Sequence, residues 1–262
     1  MFNESQIEAW NLRFGQNPSH QMPDLGRFLN HRSVRSFSNQ PVSEDLVLSL
    51  IGAAQSAATS SHLQLWSVVS IQDPELRSQI ADVAGNQDQV RNAPWFFAFI
   101  ADLNRVGRVA NEEQSSFLEF TEYELMAVVD ASLAAERMVC AAESLGLGIC
   151  YIGAMRNNPM KVKELLNLPD RTFCPFGLCL GFPAEPMTAE IKPRLDQEAV
   201  WFKESYSNAG VDEFDKRMRA FYESQGMKGE FTWSMRSAKR LSALSGREVL
   251  KEFLESQRLG LR

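Results

Sequence analysis

The order of apolar and polar positions along the chain predicts amphipathic helices interleaved with short buried strands. After Pro41 and Ser43, apolar residues recur at helical spacing over 46–54, which predicts a helix with one apolar face. Asp73 and Pro74 predict the turn into the next helix. Short apolar runs predict strands at SVVSIQ (67–72), WFFAFIAD (95–102), ICYIG (149–153) and PFGLCLGFP (175–183).

The longest helical pattern covers about Tyr123 to Leu145, and Gly146 suits the left-handed residue that follows a helix end. In the central part of this pattern only Asp130, Glu136 and Arg137 are charged. A helix that is apolar nearly all round must be buried on several sides. We therefore expect either a central core helix or a helix that packs against a second subunit.

Further helices are expected from Pro159 to near Asn167, from about Val211 to Ser224 and from Ser237 to Gln257. Since strands interleave with helices and their sequences are typical of buried strands, the fold class is α/β or α+β with both sheet faces covered. The first 24 residues are polar and predict an N-terminal arm or short helix. A single domain over 25–262, with a C-terminal helical extension, is expected to follow.

Charge and composition exclude several classes of function. The formal net charge of −6 opposes general nucleic-acid binding and has the wrong sign for an anionic membrane surface. No run approaches the roughly 18 apolar residues that span a bilayer. The first residues lack a signal-peptide pattern, so we expect a cytoplasmic protein. The four cysteines lack zinc-site spacing and are expected to be reduced and buried in the core.

Several well-known catalytic motifs are missing from the sequence. In GLGICYIG, the third glycine of a dinucleotide fingerprint would fall at position 151, where Tyr151 stands. The sequence contains neither GxxxxGK[ST] nor HExxH nor GxSxG. A Ser–His–Asp hydrolase would have to use one of only three histidines, and nothing else in the sequence favours it. We expect no metal site.

A basic cluster in the stretch NHRSVRSF is the strongest chemical signal in this acidic chain. It consists of His31, Arg32, Ser33 and Arg35. Two guanidinium groups three residues apart can converge on phosphate oxygens, and the serine hydroxyl adds a further donor. The positive end of the helix predicted to follow lies nearby. On these residues alone, an anion site and a solvated basic loop are equally good interpretations.

The cluster begins an ordered set of motifs: HRSVRSF, QPVSEDLV, ATSSHLQ, GNQDQV, YIGAMRN, FGLCLGFP and KPRL. In this order the motifs resemble the nitroreductase and flavin reductase family, specifically its oxygen-insensitive, NADPH-linked major nitroreductase group. The resemblance runs from about Leu25 to Trp233. It implies an α+β fold with a mixed sheet flanked by helices, and a homodimer with one FMN per subunit at the interface.

The resemblance also implies which residues hold FMN. By matching position, they are His31, Arg32, Ser33 and Arg35 at the phosphate and ribityl chain; Thr59, Ser60 and Ser61, which in this family reach FMN across the dimer; the amide of Gln87; the backbone of Ile152, Gly153 and Ala154 at the flavin edge; and the cations Lys192 and Arg194. Pro193 favours an extended conformation, which would project Lys192 and Arg194 to the same side. Two cations there would stabilise the negative charge that develops when flavin is reduced.

Taken singly, several of these residues have simpler interpretations. Gln87 and the loop that contains Thr59, Ser60 and Ser61 (the serine loop) would be ordinary helix-end caps. The segment KPRL would be an exposed basic turn. Gly153 fits a close approach of backbone to flavin, because a side chain there would intrude.

The activity implied is hydride transfer from NAD(P)H to FMN, followed by two-electron reduction of a nitroaromatic or quinone in a ping-pong mechanism. No catalytic side chain is required, because the flavin N5 carries the chemistry. The first alternative is an NAD(P)H:flavin reductase that supplies reduced FMN. Two others are a low-turnover flavin-binding sensor or scavenger and a non-flavin anion-binding protein.

Three departures from the family pattern affect the substrate and nicotinamide pocket. The loop SQGMKGEFTW offers Lys228 where the family has an arginine for the 2′-phosphate, and its Glu230 would repel phosphate, so NADPH, NADH or both remain open. Arg156 matches a nucleotide-facing arginine and is retained. His62 stands where phenylalanine is usual, and Ala154 replaces a common glycine.

Overall fold

The computed structural model describes residues 1–18, 21–208, 210–229, 231–244 and 246–262, which form two compact units. The sheet unit comprises Ser33–Ala189 and Ser245–Arg262, and the helical unit comprises Met1–Arg32 and Glu190–Leu244. The arm over 1–24 and the single domain over 25–262 stay a prediction. Within the arm, a short helix is present.

A four-stranded sheet forms the centre of the sheet unit. Its strands are β1 (Trp66–Ser70), β2 (Trp95–Asp102), β3 (Gly148–Ile152) and β4 (Thr172–Gly181), in the spatial order β1–β2–β4–β3. All three strand pairings are antiparallel, and Phe99 of β2 pairs with both Val68 and Phe176. The four predicted strands and the α+β class are confirmed. Among the described residues, the parallel part of the expected mixed sheet is one bridge between Ser33 and Ile149.

The α-helices found in the described residues are, in chain order, α1 (Glu4–Phe14), α2 (Glu44–Gln55), α3 (Pro74–Val83), α4 (Asp88–Asn92), α5 (Asn104–Gly107), α6 (Glu112–Ser116), α7 (Thr121–Ser144), α8 (Pro159–Leu165), α9 (Asp212–Ser224), α10 (Trp233–Leu241) and α11 (Leu250–Ser256). Short 3₁₀ turns cover Phe28–Asn30, Ser60–His62, Phe117–Glu119, Gly153–Asn157, Gln197–Ala199 and Arg247–Val249. No helix in the described part of the chain is long and apolar enough to cross a membrane.

Capping residues fix the helix ends that the sequence predicts. The Ser43 hydroxyl accepts a 3.2 Å hydrogen bond from the Leu46 amide at the start of α2. Asp73 caps α3 in the same way, with Pro74 in the first turn. Gly146 follows α7 with φ at +81°, the left-handed conformation that suits glycine.

The C-terminal helix predicted over Ser237–Gln257 is wrong in its extent. Two separate helices, α10 and α11, occupy this region. Helix α10 begins earlier because the Thr232 side chain accepts a 3.1 Å hydrogen bond from the Met235 amide. The helix cannot continue to 257, because Gly246 has φ at +86°.

Both faces of the sheet are covered, as predicted. Along β2, Phe97 and Phe99 pack in the cluster that contains residues of α2 and α7, while Phe96 and Ile100 pack in the cluster that contains residues of α3 and α8. This alternation follows from the two-residue period of a strand. Strand β2 is therefore buried along almost its whole length, which explains why its sequence is a nearly continuous apolar run.

One of the four cysteines differs in burial from the prediction. All four are free thiols, and Cys150, Cys174 and Cys179 are buried. Cys140 on α7 is only partly buried, so the expectation of a fully buried core cysteine is wrong at this position. Its helix exposes one side, and Cys140 lies close to that side.

Candidate functional site

The segment that follows Arg32 lies along the open edge of β3. Ser33 forms a parallel bridge with Ile149, and the Val34 amide donates a 2.8 Å hydrogen bond to the Ile149 carbonyl. Ile149 precedes Ile152 by three residues in the same strand. The structure therefore brings the Ser33 and Arg35 segment to the strand that leads into the predicted flavin-contacting backbone.

Arg35 keeps hydrogen-bond donors available for an anion. The side chain is exposed, and its Nη1 makes a long 3.4 Å hydrogen bond to the Ser33 carbonyl. Within the described ranges, no carboxylate pairs with it. A guanidinium with free donors next to a serine hydroxyl suits phosphate oxygens, so this donor set fits the terminal group of FMN.

The chain leaves β3 through a tight turn that contains Gly153 and Ala154. Ile152 is buried, and the 3₁₀ turn Gly153–Asn157 follows it directly. A Cβ atom on Gly153 would lie 3.3 Å from Arg156 Nη2, so the guanidinium of Arg156 closes over the glycine. Arg156 also donates to the Pro175 carbonyl. A side chain at 153 would therefore require the Arg156 guanidinium to shift slightly.

Tyr151 stands beside this turn as a neutral phenol. Burial, together with the neighbouring Glu136 carboxylate, raises the pKa of Tyr151 above its ordinary value. The phenol donates a 3.1 Å hydrogen bond to Glu136 Oε2, and its ring packs edge-on against Phe176. Tyr151 therefore links β3 to α7 through this hydrogen bond.

The loop containing Thr59, Ser60 and Ser61 is organised by one buried carboxylate. Asp130 of α7 is 1% exposed and accepts hydrogen bonds from Thr59 Oγ1 at 2.6 Å, from the Ser60 amide at 3.1 Å and from the Leu65 amide at 2.9 Å. A charged acceptor is well suited to gather several donors in a buried position. The Thr59 side chain is thereby directed inward.

The same loop presents its other polar groups outward. Ser60, Ser61 and His62 are exposed, and both Ser61 and His62 have positive φ, at 48° and 57°. Non-glycine residues adopt this conformation when the surrounding contacts impose it. The hydroxyls and the imidazole are therefore held on the surface of the unit, where a ligand or a second chain can reach them.

The Gln87 amide is already engaged within its own loop. Its Nε2 donates a 2.7 Å hydrogen bond to the Ala84 carbonyl, and its Oε1 accepts one from Gln89 Nε2 at 2.6 Å. Gln87 precedes α4 and makes no side-chain capping bond to it, but Ala84, whose carbonyl accepts its hydrogen bond, is the C-cap residue of α3. The helix-end interpretation thus fits the C-terminal end of α3 and not the start of α4. A flavin contact through this amide stays a prediction.

In the helical unit, Lys192 and Arg194 alternate with buried neighbours. Ile191 and Pro193 are buried, whereas Lys192 and Arg194 are exposed. This alternation fits the predicted extended segment with both cations on one side. Arg194 Nη1 donates to the carbonyls of Pro193 and Lys192 in its own segment, at 3.2 and 3.3 Å.

This segment borders a cavity of about 510 Å³ in the helical unit. Aromatic side chains from three helices line it together with the segment, namely Phe14, Phe214, Tyr222 and Trp233. Lys228 is exposed in the loop before Trp233. Glu230 lies outside the described residues. A mostly apolar cavity with two cations beside it is suited to a planar, negatively charged ligand.

Two residues important to the site escaped sequence analysis. Asp130 was seen only as a charge on an apolar helix, and Arg13 was not singled out at all. Arg13 is 6% exposed and donates to backbone carbonyls of Leu29, His31 and Lys192. The sequence did contain a signal for Asp130. An acidic residue within a largely apolar helix is expected to be buried, and it must then accept hydrogen bonds from nearby donors.

Comparison with known proteins assigns the chain to a family. Residues 29–182 match the model of the nitroreductase family, and residues 192–262 match the model of its C-terminal domain. The chain is 42% identical over 217 residues to an FMN reductase (NADPH) of Bacillus subtilis (strain 168), which covers 79% of this chain and 86% of that protein.

Solved structures agree with this assignment. NfrA1 of B. megaterium superposes with a TM-score of 0.83 at 37% identity, covering 88% of this chain and 97% of that one. The NADPH:FMN oxidoreductase of Vibrio harveyi, complexed with NAD⁺, gives a TM-score of 0.79 at 34% identity, covering 88% and 96%. The motif order, the antiparallel sheet with helices on both faces and these matches agree, and the chain belongs to the nitroreductase family.

Proposed function

We propose that this chain is an FMN-dependent oxidoreductase that takes a hydride from NAD(P)H and delivers two electrons to a nitroaromatic or a quinone. The observation that carries the proposal is the bridge between Ser33 and Ile149. It lays the segment that contains Ser33 and Arg35 along β3, the strand that ends at Ile152 and leads into Gly153 and Ala154. Phosphate donors and ring-contacting backbone are thereby supplied by neighbouring stretches of one unit.

The side chains have positioning and electrostatic roles. Ser33 and Arg35, with His31 and Arg32 directly before them in the chain, bind the phosphate. Bound FMN supplies the hydride acceptor and the two-electron donor. Lys192 and Arg194 add positive charge, which favours the reduced and more negative form of the ligand.

The nicotinamide donor and the oxidant would use one pocket in turn. Because hydride arrives and two electrons leave in separate steps, the kinetics are ping-pong. His62 and Arg156 would line this pocket, and Lys228 would meet the nucleotide. The relatives named as NADPH-dependent enzymes support NADPH as the donor, while the loop before Trp233 lacks an arginine and leaves NADH as a second donor.

A second candidate function is reduction of free flavin, with reduced FMN released to another enzyme. It is favoured by the relative named FMN reductase (NADPH). The same residues would serve, because the oxidant is then a second flavin instead of a nitro compound. A direct comparison of turnover with nitrofurazone, menadione and free FMN separates the two functions.

We also infer that the chain works as a homodimer. On α7, Leu125, Val129 and Leu133 are 58, 52 and 43% exposed and lie four residues apart on one side of the helix. Such a stripe on the central helix requires cover by other protein. A second copy would cover it, and the exposed serine loop would then reach flavin across the dimer. A cytoplasmic location fits the four free thiols.

Initial-rate kinetics with reconstituted protein test the proposal. NADPH is varied at several fixed concentrations of menadione, before and after removal of FMN. We expect parallel double-reciprocal lines and turnover that disappears with FMN and returns on reconstitution. Intersecting lines, or turnover that is independent of FMN, contradict the mechanism.

A further inference from the structure

Arg13 connects two separate stretches of the helical unit through backbone carbonyls. Its Nε donates to Leu29 O at 2.8 Å, its Nη2 to His31 O at 2.8 Å and its Nη1 to Lys192 O at 3.3 Å. The Arg194 amide returns a 2.9 Å hydrogen bond to the Arg13 carbonyl. One buried residue therefore contacts the backbone of both basic segments of this unit.

The chemistry of this position calls for arginine. A cation that is only 6% exposed must be compensated, and carbonyl oxygens on three sides provide partial negative charge. The planar guanidinium presents donors in fixed directions, so it can hold three acceptors at once. A lysine ammonium is a compact point charge and cannot reproduce this fork.

Helix α1 holds Arg13 firmly in place. The helix starts with a capping box between Asn3 and Gln6, and Gly15 ends it with φ at +70°. Gln6 is 1% exposed, and its Nε2 donates to Asp24 Oδ1 at 2.6 Å and to Gly26 O at 2.8 Å. The helix is therefore tied to the chain that leads into residues 29–32.

Helix α1, which supplies Arg13, lies in a part of the chain that the family models do not match, whereas the acceptors Leu29, His31 and Lys192 lie in matched parts. The match to the nitroreductase model begins at residue 29, whereas α1 ends at Phe14. Phe14, the next residue after Arg13, lines the cavity beside Lys192 and Arg194. Helix α1 thus adds both a buried cation and a cavity wall to the helical unit.

We infer that Arg13 is a positioning residue that sets the backbone of His31 and Lys192 for flavin binding, an inference that rests on the proposed function. Holding Lys192 O and the Arg194 amide fixes the extended stretch whose two cations project to one side. Holding His31 O fixes the residue that enters the basic cluster. Loss of the three guanidinium hydrogen bonds would increase the mobility of both backbone segments, 29–32 and 190–194, although they are far apart in sequence.

The test compares Arg13→Lys with wild type by two readouts. Hydrogen–deuterium exchange of the protein without FMN reports the backbone directly, and we expect faster exchange in both 29–32 and 190–194. Fluorescence titration with FMN is expected to give a dissociation constant about tenfold higher, the size of one charged hydrogen bond.

Arg77→Lys is the matched control. Arg77 is also buried and also donates to carbonyls, those of Ile71 and Ala93, at 2.6 to 3.0 Å. Neither acceptor is a candidate flavin residue. The control is expected to lower the melting temperature while the FMN dissociation constant stays within twofold of wild type, on the order of the scatter of such constants.

Unchanged exchange at 190–194 in Arg13→Lys overturns the inference, and so does an unchanged FMN dissociation constant in protein that binds FMN. Wild-type protein that binds no FMN overturns the proposed function instead, and the exchange readout still decides the role of Arg13. Should Arg13→Lys fail to fold, Asp24→Ala loosens α1 through Gln6. Faster exchange at 190–194 in that variant supports the inference, and unchanged exchange there refutes it.

Discussion

Val34 lies directly over Gly148, so that a Cβ atom on Gly148 would come within 2.6 Å of Val34 Cγ2. This contact seats the segment after Arg32 on β3. The glycine is required for space, since real Cβ atoms do not approach carbon so closely. The position of Ser33 and Arg35 beside β3, which leads into the turn proposed to contact flavin, depends on this fit.

We therefore expect Gly148→Ala to destabilise the fold by about 1–3 kcal/mol through overpacking. The urea midpoint measures the loss. In the double variant Gly148→Ala/Val34→Ala the clash is relieved, and the two changes should be non-additive. Simple additivity of the two single changes would show that the contact does not determine the packing here.

Replacing Asp130 with asparagine should loosen the serine loop. An asparagine keeps the shape but turns one acceptor into a donor that faces the Thr59 hydroxyl or a backbone amide. We expect a loss of about 1–3 kcal/mol in unfolding free energy, with faster exchange over 59–65. Thr59→Ser, which keeps the hydroxyl, is the control and should leave exchange in this loop near wild type. A stable Asp130→Asn protein with a rigid loop would rule out the organising role.

Val129→Glu on α7 is expected to convert the dimer into monomers. A charge in the middle of the exposed stripe would have to be buried without a partner. Sedimentation velocity measures the change. Met160→Glu on α8 changes an equally exposed apolar residue, 45% against 52%, and should leave the dimer intact. Monomeric wild-type protein, or a Val129→Glu dimer, would contradict the assignment of this face.

Glu119, just before α7, accepts hydrogen bonds from the C-terminal residues Arg258 and Leu261. Its ionisation should therefore make the stability of the fold depend on pH. The hydrogen bond from Arg258 lowers the pKa of Glu119 below its ordinary value of 4.5. A carboxylate with a lowered pKa stabilises the fold above its unfolded-state pKa, and this contribution is lost as the pH falls through the folded-state pKa. Stability should therefore decline as the pH falls below 4.5.

The variant Glu119→Gln should flatten this part of the stability profile, measured as melting temperature against pH. In an Arg258→Met background the same change should have a smaller further effect, because the hydrogen bond from Arg258 is absent while the 3.5 Å ion pair between Arg262 and Glu119 remains. An unchanged profile in Glu119→Gln would show that other carboxylates control the acid response.

Lys228→Met should affect the two nicotinamide donors differently. If the exposed ammonium meets the 2′-phosphate, its loss raises KM for NADPH about fivefold, as expected for an exposed ion pair. KM for NADH should not change, since NADH lacks this phosphate. Lys239→Met, at the last turn of α10, is the control and should alter neither constant. Equal effects on both donors would place the phosphate elsewhere.

Local signals allowed most of the fold to be predicted. Ser43, Asp73 and Gly146 mark helix ends through interactions with their immediate neighbours, and such interactions are visible in sequence. Strands β2 and β4 were recognisable because they are buried on both faces almost throughout, which makes their sequences continuous apolar runs. The C-terminal helix was overextended because Gly246, which breaks it, was passed over within a helical pattern.

The sequence predicted the candidate site residues, but it did not predict the buried residues that hold them in place. Asp130 acts on amides and a hydroxyl 65 to 71 residues away, and Arg13 acts on a carbonyl 179 residues away. Sequence spacing cannot identify the hydrogen-bond partners of Asp130 or Arg13, because only folding brings these residues together. The motif order identified the family, whereas the forces that hold the motifs in place required the structure.

Anaerobic titration of FMN-loaded protein with NADPH and with NADH is the most direct test of flavin-based hydride transfer in this chain. We expect the visible absorption band of bound flavin to bleach with one equivalent of at least one donor, and to return when nitrofurazone is added without oxygen. Protein that stays colourless after incubation with FMN and gel filtration, or yellow protein whose band neither donor changes, would contradict it.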